Sequence, residues 1–283
     1  MNIKIVVKYI ASPLALLFIL SGCSAGVLDP KGPVASTQYD LIIYSIILMS
    51  VVLVPVFIVF GYVVYKYRER PENKDYEPPE IEGNKKLEVL WTVIPIIIVT
   101  LLAVPTVKAT YDLETSPSPK QEPLVIKVTS AQWKWIFQYP EQGIQTVNYA
   151  YIPVDVPVKF VLTSAGAMNS FWVPQLGGQS YTMAGMKDQM FLEASEEGVY
   201  RGKGANFTGR RFADMKFKVT AESQRDFNAW VKKIKTTKPE LTIEQAKQLM
   251  IPGTVGKMAF SSYPANFKMT QLKEGVQNEP KRD

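Results

Sequence analysis

Histidine and cysteine, the side chains that carry most metal and nucleophilic chemistry, are almost missing from this sequence of 283 residues. It contains no histidine and one cysteine, Cys23. Histidine is the commonest ligand of transition metals and the commonest general base near neutral pH. The chain therefore cannot ligate haem through imidazole, build a histidine-based zinc or copper site or run a Ser-His-Asp triad. A single cysteine also excludes an intrachain disulfide.

The one cysteine stands in a pattern that indicates lipid attachment. Residues 1–22 are typical of a signal peptide, because Lys4 and Lys8 precede the apolar run 14–20. Leu20-Ser-Gly-Cys23 resembles the bacterial lipobox, in which cleavage precedes the cysteine and acyl chains are attached to it. We expect Cys23 to be lipidated and residues 23–38 to form a lipid-anchored exported segment. The alternative is a signal anchor whose cysteine is incidental.

Glu88 is the second residue with candidate chemistry, because a carboxylate at the start of an apolar run is costly to place at membrane depth. One interpretation is a proton relay. The other is a helix acid in the first turn, which interacts favourably with the helix dipole in the headgroup region. The position of Glu88 alone leaves both interpretations open.

Two apolar runs have to position these residues. Residues 41–65 contain no charged side chain, and residues 87–107 contain only Glu88. About twenty apolar residues cross the hydrocarbon core of a bilayer, and neither run has a polar face. The sequence therefore predicts a transmembrane hairpin over residues 39–108, with spans at 41–65 and 87–107.

The positions of Lys and Arg predict the orientation of this hairpin. The loop 66–86 carries six of them, whereas the segment between Cys23 and the first span carries only Lys31. Positive charges near short loops stay on the cytoplasmic side. We expect a cytoplasmic loop in a bacterial cell membrane, with the N-terminus and the C-terminal domain outside. The formal net charge of +6 comes from mixed charges rather than a basic block, so nucleic-acid binding is not indicated.

The C-terminal part begins with a pattern of short strands separated by turns. The candidate strands are 124–129, 133–139, 156–163 and 215–220. This pattern predicts an exported β-sandwich over residues 109–220. Aromatic residues alternate along the second of these strands, at Trp133, Trp135, Phe137 and Tyr139. A core stripe is favoured over a role in electron transfer.

The pattern then changes to helix. Phe227, Trp230 and Ile234 recur at helical spacing, and Thr242 with Gln245 is typical of a capping box that opens a second helix. Residues 221–283 are therefore predicted to be a helical extension with a polar tail. The fold class is a two-helix transmembrane hairpin followed by a β-sandwich with C-terminal helices.

These features together resemble subunit II of the haem–copper respiratory oxidases, in which two helices precede a cupredoxin-like β-sandwich. The matching segments are Leu87–Pro95 and Gln132–Trp135. The segments Leu28–Pro33 and Phe171–Met186 resemble the quinol-oxidase form of this subunit, in particular that of the menaquinol oxidases of Gram-positive bacilli.

The resemblance also implies which positions would hold copper. Family members that oxidise cytochrome c bind two copper ions through one strand histidine and a Cys-x-Glu-x-Cys-x3-His-x2-Met loop. The corresponding positions here are Asn169, Gly204, Asn206, Thr208, Phe212 and Met215. Copper needs thiolates and imidazoles, and only Met215 keeps a ligand type. We therefore expect this chain to bind no metal or other cofactor.

The resemblance implies a non-catalytic subunit of a proton-pumping quinol:oxygen oxidoreductase. The haems, the copper next to the haem and the quinol site are then expected on subunit I. Partners are subunit I, further small membrane subunits, the quinol pool and the bilayer, but not cytochrome c. Glu88 matches the glutamate at the cytoplasmic mouth of a proton path into subunit I. The alternatives are a copper-bearing cytochrome c oxidase subunit, or a lipoprotein assembly or binding factor with a degenerate cupredoxin fold.

Overall fold

The computed structural model describes residues 26–68 and 83–264. The helices are α1 (Pro33–Tyr67), α2 (Lys85–Asp112), α3 (Gln224–Thr237) and α4 (Ile243–Met250). The strands are β1 (Leu124–Ala131), β2 (Lys134–Tyr139), β3 (Ile144–Val147), β4 (Tyr149–Pro153), β5 (Val158–Ser164), β6 (Asn169–Trp172), β7 (Ser180–Thr182), β8 (Asp188–Leu192), β9 (Gly198–Gly204), β10 (Lys216–Glu222) and β11 (Met258–Phe260). These elements form two compact units. The hairpin unit comprises Thr37–Thr115, and the described part of the sandwich unit comprises residues 26–36 and 116–264.

The hairpin unit consists of two apolar helices. Helices α1 and α2 have mean hydropathies of 2.8 and 2.5 over their most apolar windows, so both are long and apolar enough to cross a membrane. The predicted spans 41–65 and 87–107 lie inside them. Their hydroxyl side chains bond back to the carbonyl four residues earlier, as Ser50 does to Ile46 at 2.7 Å. Between the helices, Tyr44 Oη donates to the carbonyl of Leu101 at 3.3 Å.

The sandwich unit has two sheets, which we call A and B. Sheet A has the strand order β11-β3-β2-β1-β5-β8, and sheet B has the order β4-β10-β9-β6-β7. Neighbouring strands are antiparallel except for β1 with β5 and β4 with β10. The predicted fold class, a β-sandwich of cupredoxin type after two apolar helices, is confirmed.

Aromatic rings from both sheets fill the space between them. Trp135 and Phe137 come from β2, whereas Phe171 and Phe217 come from β6 and β10. All four are buried. The rings of Phe171 and Phe217 stack with centroids 4.9 Å apart, and Trp135 lies 5.4 Å from each of them. Trp135, Phe137 and Tyr139 thus form the predicted core stripe, whereas Trp133 precedes β2 and is only half-buried.

The C-terminal segment contains more than the predicted helices. The capping box at Thr242 is confirmed, with both of its hydrogen bonds to Gln245. However, β11 lies inside the segment predicted to be helical, and it pairs with β3 as the edge strand of sheet A. A three-residue strand has too little sequence for a period-2 pattern, so its partner decides its conformation. Helix α4 covers the outer face of sheet A, where its Leu249 packs in one cluster with Ile136 of β2 and Phe260 of β11.

The segment before the first helix is part of the sandwich unit. The backbone N–H of Lys31 donates to the carbonyl of Gln175 at 2.8 Å, and the N–H of Ser195 donates to the carbonyl of Lys31 at 2.9 Å. Gly32 packs so closely that a Cβ there would lie 1.9 Å from the carbonyl oxygen of Glu193. Only glycine therefore fits at position 32 without a backbone shift.

Candidate functional site

The six positions that the resemblance assigns to copper ligands lie at one end of sheet B. Asn169 begins β6, Gly204 ends β9 and Met215 directly precedes β10. These three strands are neighbours in the order β10-β9-β6. The other three positions lie in the connection from β9 to β10. Strand pairing therefore brings Asn169 close to residues that follow it in the chain by about 35 positions or more.

Three of the six residues line one small cavity of about 260 Å³, namely Gly204, Phe212 and Met215. The N–H of Gly204 donates to the carbonyl of Met215 at 3.0 Å, and the N–H of Met215 donates to the carbonyl of Phe212 at 3.0 Å. A Cβ on Gly204 would lie 3.7 Å from Met215 Sδ, which is an ordinary van der Waals contact. The scaffold thus still has space for a side chain at position 204.

The two asparagines keep polar contacts of their own. Asn206 Nδ2 donates to the carbonyl of Met168 at 3.1 Å, which ties the β9–β10 connection to the residue before Asn169. Asn169 is buried, and its Nδ2 donates to the carbonyl of Ala167 at 3.0 Å and to Ser130 Oγ at 3.3 Å. Asn169 thus serves as a hydrogen-bonding residue of the core.

Two tryptophans hold the β9–β10 connection. Trp133 Nε1 donates to the carbonyl of Thr208 at 3.1 Å, and Trp135 Nε1 donates to the carbonyl of Met215 at 3.4 Å. Gly209 has a φ of +103°, a conformation that favours glycine, and its Cβ position lies 3.4 Å from Trp133 Cζ2. Both tryptophans have a structural role in this loop.

The residues at these positions do not fit a dinuclear copper centre. Glycine and phenylalanine have no donor atom, and the amides and the hydroxyl are poor ligands for copper beside thiolate and imidazole. Met215 supplies one thioether, and it is buried against Trp135. Among the described residues, no group of three or more His, Cys, Asp or Glu side chains is placed to hold a metal ion.

Glu88 lies in the first turn of α2, and another residue caps that helix. Asn84 Oδ1 accepts from the backbone N–H groups of Lys86 at 3.0 Å and Leu87 at 3.4 Å. The Glu88 side chain is exposed, and its Oε1 lies 3.0 Å from the position of a Cβ on Gly83. The N-cap function is thus met without the carboxylate of Glu88.

Cys23 and the signal peptide 1–22 lie outside the described residues, and so does the middle of the predicted cytoplasmic loop. Of its six basic residues, Lys66, Arg68, Lys85 and Lys86 belong to the described part. The polar tail at the C-terminal end also lies outside it, from residue 265 onward.

Lys134 was not singled out by the sequence, although it is one of the largest fully buried side chains. Its Nζ donates to the carbonyls of Leu249 at 3.1 Å and Ile251 at 2.7 Å, at the end of α4. Burial lowers the pKa of Lys134 to about 8. Alternation along β2 predicts an outward, solvated lysine here, and the segment that covers it lies more than a hundred residues away.

A second unpredicted feature lies beside the copper positions. Arg201 and Lys203 alternate with buried residues on β9, and Lys216 and Lys218 do so on β10. The alternation of each strand was visible in the sequence. The four cations lie on one face because β9 and β10 pair in a particular register. The sequence does not show that register.

Comparisons with known proteins agree with this architecture. The family model for the transmembrane domain of cytochrome c oxidase subunit II matches residues 24–109, and the model for its periplasmic domain matches residues 142–222. The chain is 50% identical over 259 residues to quinol oxidase subunit 2 of Bacillus anthracis, covering 90% of this chain and 89% of that protein. It is 52% identical over 254 residues to quinol oxidase subunit 2 of Bacillus subtilis, covering 88% and 79%.

Among solved structures, the periplasmic domain of subunit II of the cytochrome oxidase of Bradyrhizobium japonicum matches with a TM-score of 0.39 and 20% identity. That match covers 42% of this chain and 94% of that domain. The two helices and the periplasmic-domain match make this a membrane protein with an outward-facing C-terminal domain. At about 50% identity over nine-tenths of its length, the chain belongs to the quinol oxidase subunit 2 family, within the cytochrome c oxidase subunit II family.

Proposed function

We propose that this chain is the non-catalytic subunit II of a terminal respiratory oxidase that oxidises quinol and reduces oxygen to water. One observation carries the proposal. A small cavity with space for a side chain remains around Gly204 and Met215, but the positions that the resemblance assigns to copper ligands carry residues that do not fit a dinuclear copper site. Such a subunit has no metal relay for electrons that arrive from outside.

A quinol does not need that relay. It is lipid-soluble and reaches the catalytic subunit from within the bilayer, whereas cytochrome c is soluble and docks on an outside surface. In this proposal the haems, the copper next to the haem and the quinol site belong to subunit I. The hairpin unit packs in the membrane with subunit I and further small subunits, and proton pumping is the work of subunit I.

The charge of the C-terminal part also argues against cytochrome c as the donor. Residues 110–283 contain 22 Lys and Arg against 17 Asp and Glu. A basic surface repels a basic partner and slows its association. Lys203 and Lys216 border the cavity at the former copper positions, so the local charge there is positive as well.

Purification of the complex tests this function. A tagged chain should bring down a haem-bearing membrane subunit in stoichiometric amount, and the complex should consume oxygen with quinol but not with reduced cytochrome c. Metal analysis should find no copper in excess of the subunit I site. Two equivalents of additional copper, or a chain that separates from all haem-bearing subunits, would contradict the proposal.

We further propose that Glu88 lies at the cytoplasmic mouth of the proton path into subunit I. Its support is the family resemblance, in which Glu88 matches the glutamate at that position, together with the cost of a carboxylate at the start of a spanning helix. Glu88→Gln should lower quinol oxidase turnover severalfold in a complex that assembles with normal haem content. Glu114→Gln, an exposed acid just beyond the other end of α2, is the matched control. Turnover unchanged by Glu88→Gln would leave this residue a helix acid.

Lipidation of Cys23, removal of residues 1–22 and a cytoplasmic loop at 66–86 complete the proposal. They rest on the lipobox pattern and on the distribution of Lys and Arg. Mass spectrometry of the mature N-terminus should find a diacylglyceryl group on Cys23. A chain that begins at Met1, or a free Cys23 thiol, would contradict the lipid anchor.

A further inference from the structure

The outer face of sheet B carries four cations in two directly opposed pairs. Lys203 of β9 lies opposite Lys216 of β10, and Arg201 lies opposite Lys218. All four are exposed, because they alternate with buried residues on their strands. Like charges that face each other across an antiparallel pair destabilise it. Neither pair is needed for the fold, because a neutral polar residue would occupy the same positions without repulsion.

The described part of the chain offers these four cations few carboxylates. In the part of the chain that the structure describes, none of the four cations forms an ion pair. The nearby acids Asp29 and Glu196 are both paired with Lys31, at 3.5 and 2.9 Å. Asp214 is the one acidic residue among the described residues that line this face. Four cations therefore face a single carboxylate on this surface, and most of their positive charge is uncompensated within the sandwich unit.

Aromatic rings lie at both ends of the rows that these cations form. On the β6 side, Lys203 Nζ lies 4.7 Å from the ring centroid of Trp172, the residue opposite it. On the β4 side, Tyr149 lies opposite Lys218, and Lys257 Nζ lies 5.7 Å from its ring centroid. A ring face attracts a cation but does not neutralise it. It therefore fixes the direction of the lysine and leaves its charge available to a partner.

The four cations lie in a groove rather than on a flat surface. We define the basic groove by Arg201, Lys203, Lys216, Lys218 and Lys257, which line a concave space of about 940 Å³. The same space is lined by Gly26, Gly202 and Phe217 and by the stretches 174–175 and 255–257. A concave groove accommodates a chain segment, whereas the plane of a bilayer surface cannot enter it.

The spacing of the cations suits an extended segment. Alternate residues on a strand are about 6.6 Å apart, and directly opposed residues across strands are about 5 Å apart. Carboxylates at alternate positions of an extended acidic segment have the same spacing along the groove. Lysine and arginine can each donate to them.

We propose that the basic groove binds an extended acidic segment of a neighbouring subunit of the oxidase. The inference rests on the proposed function for the existence of neighbouring subunits, and on the groove for the chemistry of the contact. Binding neutralises the opposed pairs, so the repulsion that β9 and β10 carry in the isolated chain is relieved in the complex. The basic groove, as a surface for subunit assembly, thus lies next to the end of sheet B that carries the six copper positions.

Carboxyl-to-amine crosslinking of the purified complex with a zero-length reagent tests the contact. Mass spectrometry should find Lys203, Lys216 or Lys218 joined to Asp or Glu of another subunit. In Lys216→Gln/Lys218→Gln the crosslinks of the retained Lys203 should weaken, and retention of that subunit at raised salt should fall about tenfold. The control Lys232→Gln/Lys233→Gln, at exposed positions of α3, should change neither result.

Three outcomes would overturn the inference. The first is a complex in which these lysines form crosslinks only within their own chain. The second is unchanged subunit retention in the groove variant. The third is loss of binding to vesicles of anionic phospholipid in that variant with normal subunit retention, which would identify a lipid ligand. A chain that copurifies with no haem-bearing subunit contradicts the proposed function instead, so the two failures are distinguishable.

Discussion

Lys134→Met should remove a pH dependence from the stability of the sandwich unit. The Lys134 ammonium is buried and donates to two backbone carbonyls, at 3.1 and 2.7 Å. In the described part of the chain it forms no ion pair. Burial lowers its pKa to about 8, whereas a lysine in an unfolded chain titrates near about 10.4.

The direction of the effect follows from which state holds the proton. Above about pH 8 the folded chain has lost a proton that the unfolded chain still binds, so raising the pH favours the folded state. One pH unit within this window is worth about 1.4 kcal/mol. The free energy of unfolding should therefore rise by roughly 2 kcal/mol from about pH 8 to about pH 9.5. This is an upper limit, because the two carbonyls favour the charged form.

Two buried tyrosines limit the pH range in which the effect of Lys134 on stability can be measured. Burial raises the pKa of Tyr139, and it raises the pKa of Tyr149 to about 12. Above about pH 10 an unfolded tyrosine loses a proton that the folded one keeps, so stability from these groups falls as the pH rises. Measurements below about pH 9.5 therefore separate Lys134 from both tyrosines.

The assay is urea unfolding of the purified full chain in detergent, followed by tryptophan fluorescence at several pH values from about 7.5 to about 9.5. Lys127→Met is the matched control, because Lys127 is an exposed lysine on the neighbouring strand β1. The wild type and the control should gain stability as the pH rises, and Lys134→Met should not. Equal slopes in the wild type and Lys134→Met would refute the reasoning.

Three other substitutions test the packing of the sandwich, each by urea unfolding. Tyr139→Phe should lower the free energy of unfolding by about 2 kcal/mol. The Tyr139 hydroxyl donates to the carbonyl of Tyr151 at 3.0 Å and accepts from the N–H of Tyr151 at 2.9 Å, and both hydrogen bonds are lost in the variant. An unchanged urea midpoint would contradict this prediction. Gly202→Ala should cost about 1–3 kcal/mol, because its Cβ would lie 2.1 Å from the ring of Phe217. Gly204→Ala, with 3.7 Å to its nearest neighbour, should cost nothing, and equal losses in both variants would argue against the packing described here.

The sequence predicted those parts of the fold that depend on local patterns. The two apolar helices, the strands around Trp135 and Val219 and the capping box at Thr242 all have a period or a motif within a few residues. These patterns are local, because the side chains that bury one face of an element, or that cap the end of a helix, lie within a few residues of one another. At the copper positions, the family resemblance assigned the residues, and their types then predicted that the ligand chemistry is lost.

Features that depend on distant segments were not predicted. The alternation of β2 places Lys134 on a solvated strand face, but α4 covers it, and β11 is a strand only because it pairs with β3. The basic groove requires the register of β9 with β10 in addition to the alternation of each strand. Register and covering segments are set by contacts across the chain, so single-strand patterns do not contain them.

The backbone hydrogen bonds of Lys31 limit how many times the chain can cross a membrane. Its backbone N–H and carbonyl bind Gln175 and Ser195, so the residues before and after the hairpin unit belong to one folded body. A folded body lies on one side of a bilayer, and the chain between Ser36 and Ser116 must then cross an even number of times. A single crossing is excluded, whatever the charges of the loop are. If a third apolar span were added to the hairpin unit, either that span would not enter the membrane or the hydrogen bonds of Lys31 would break.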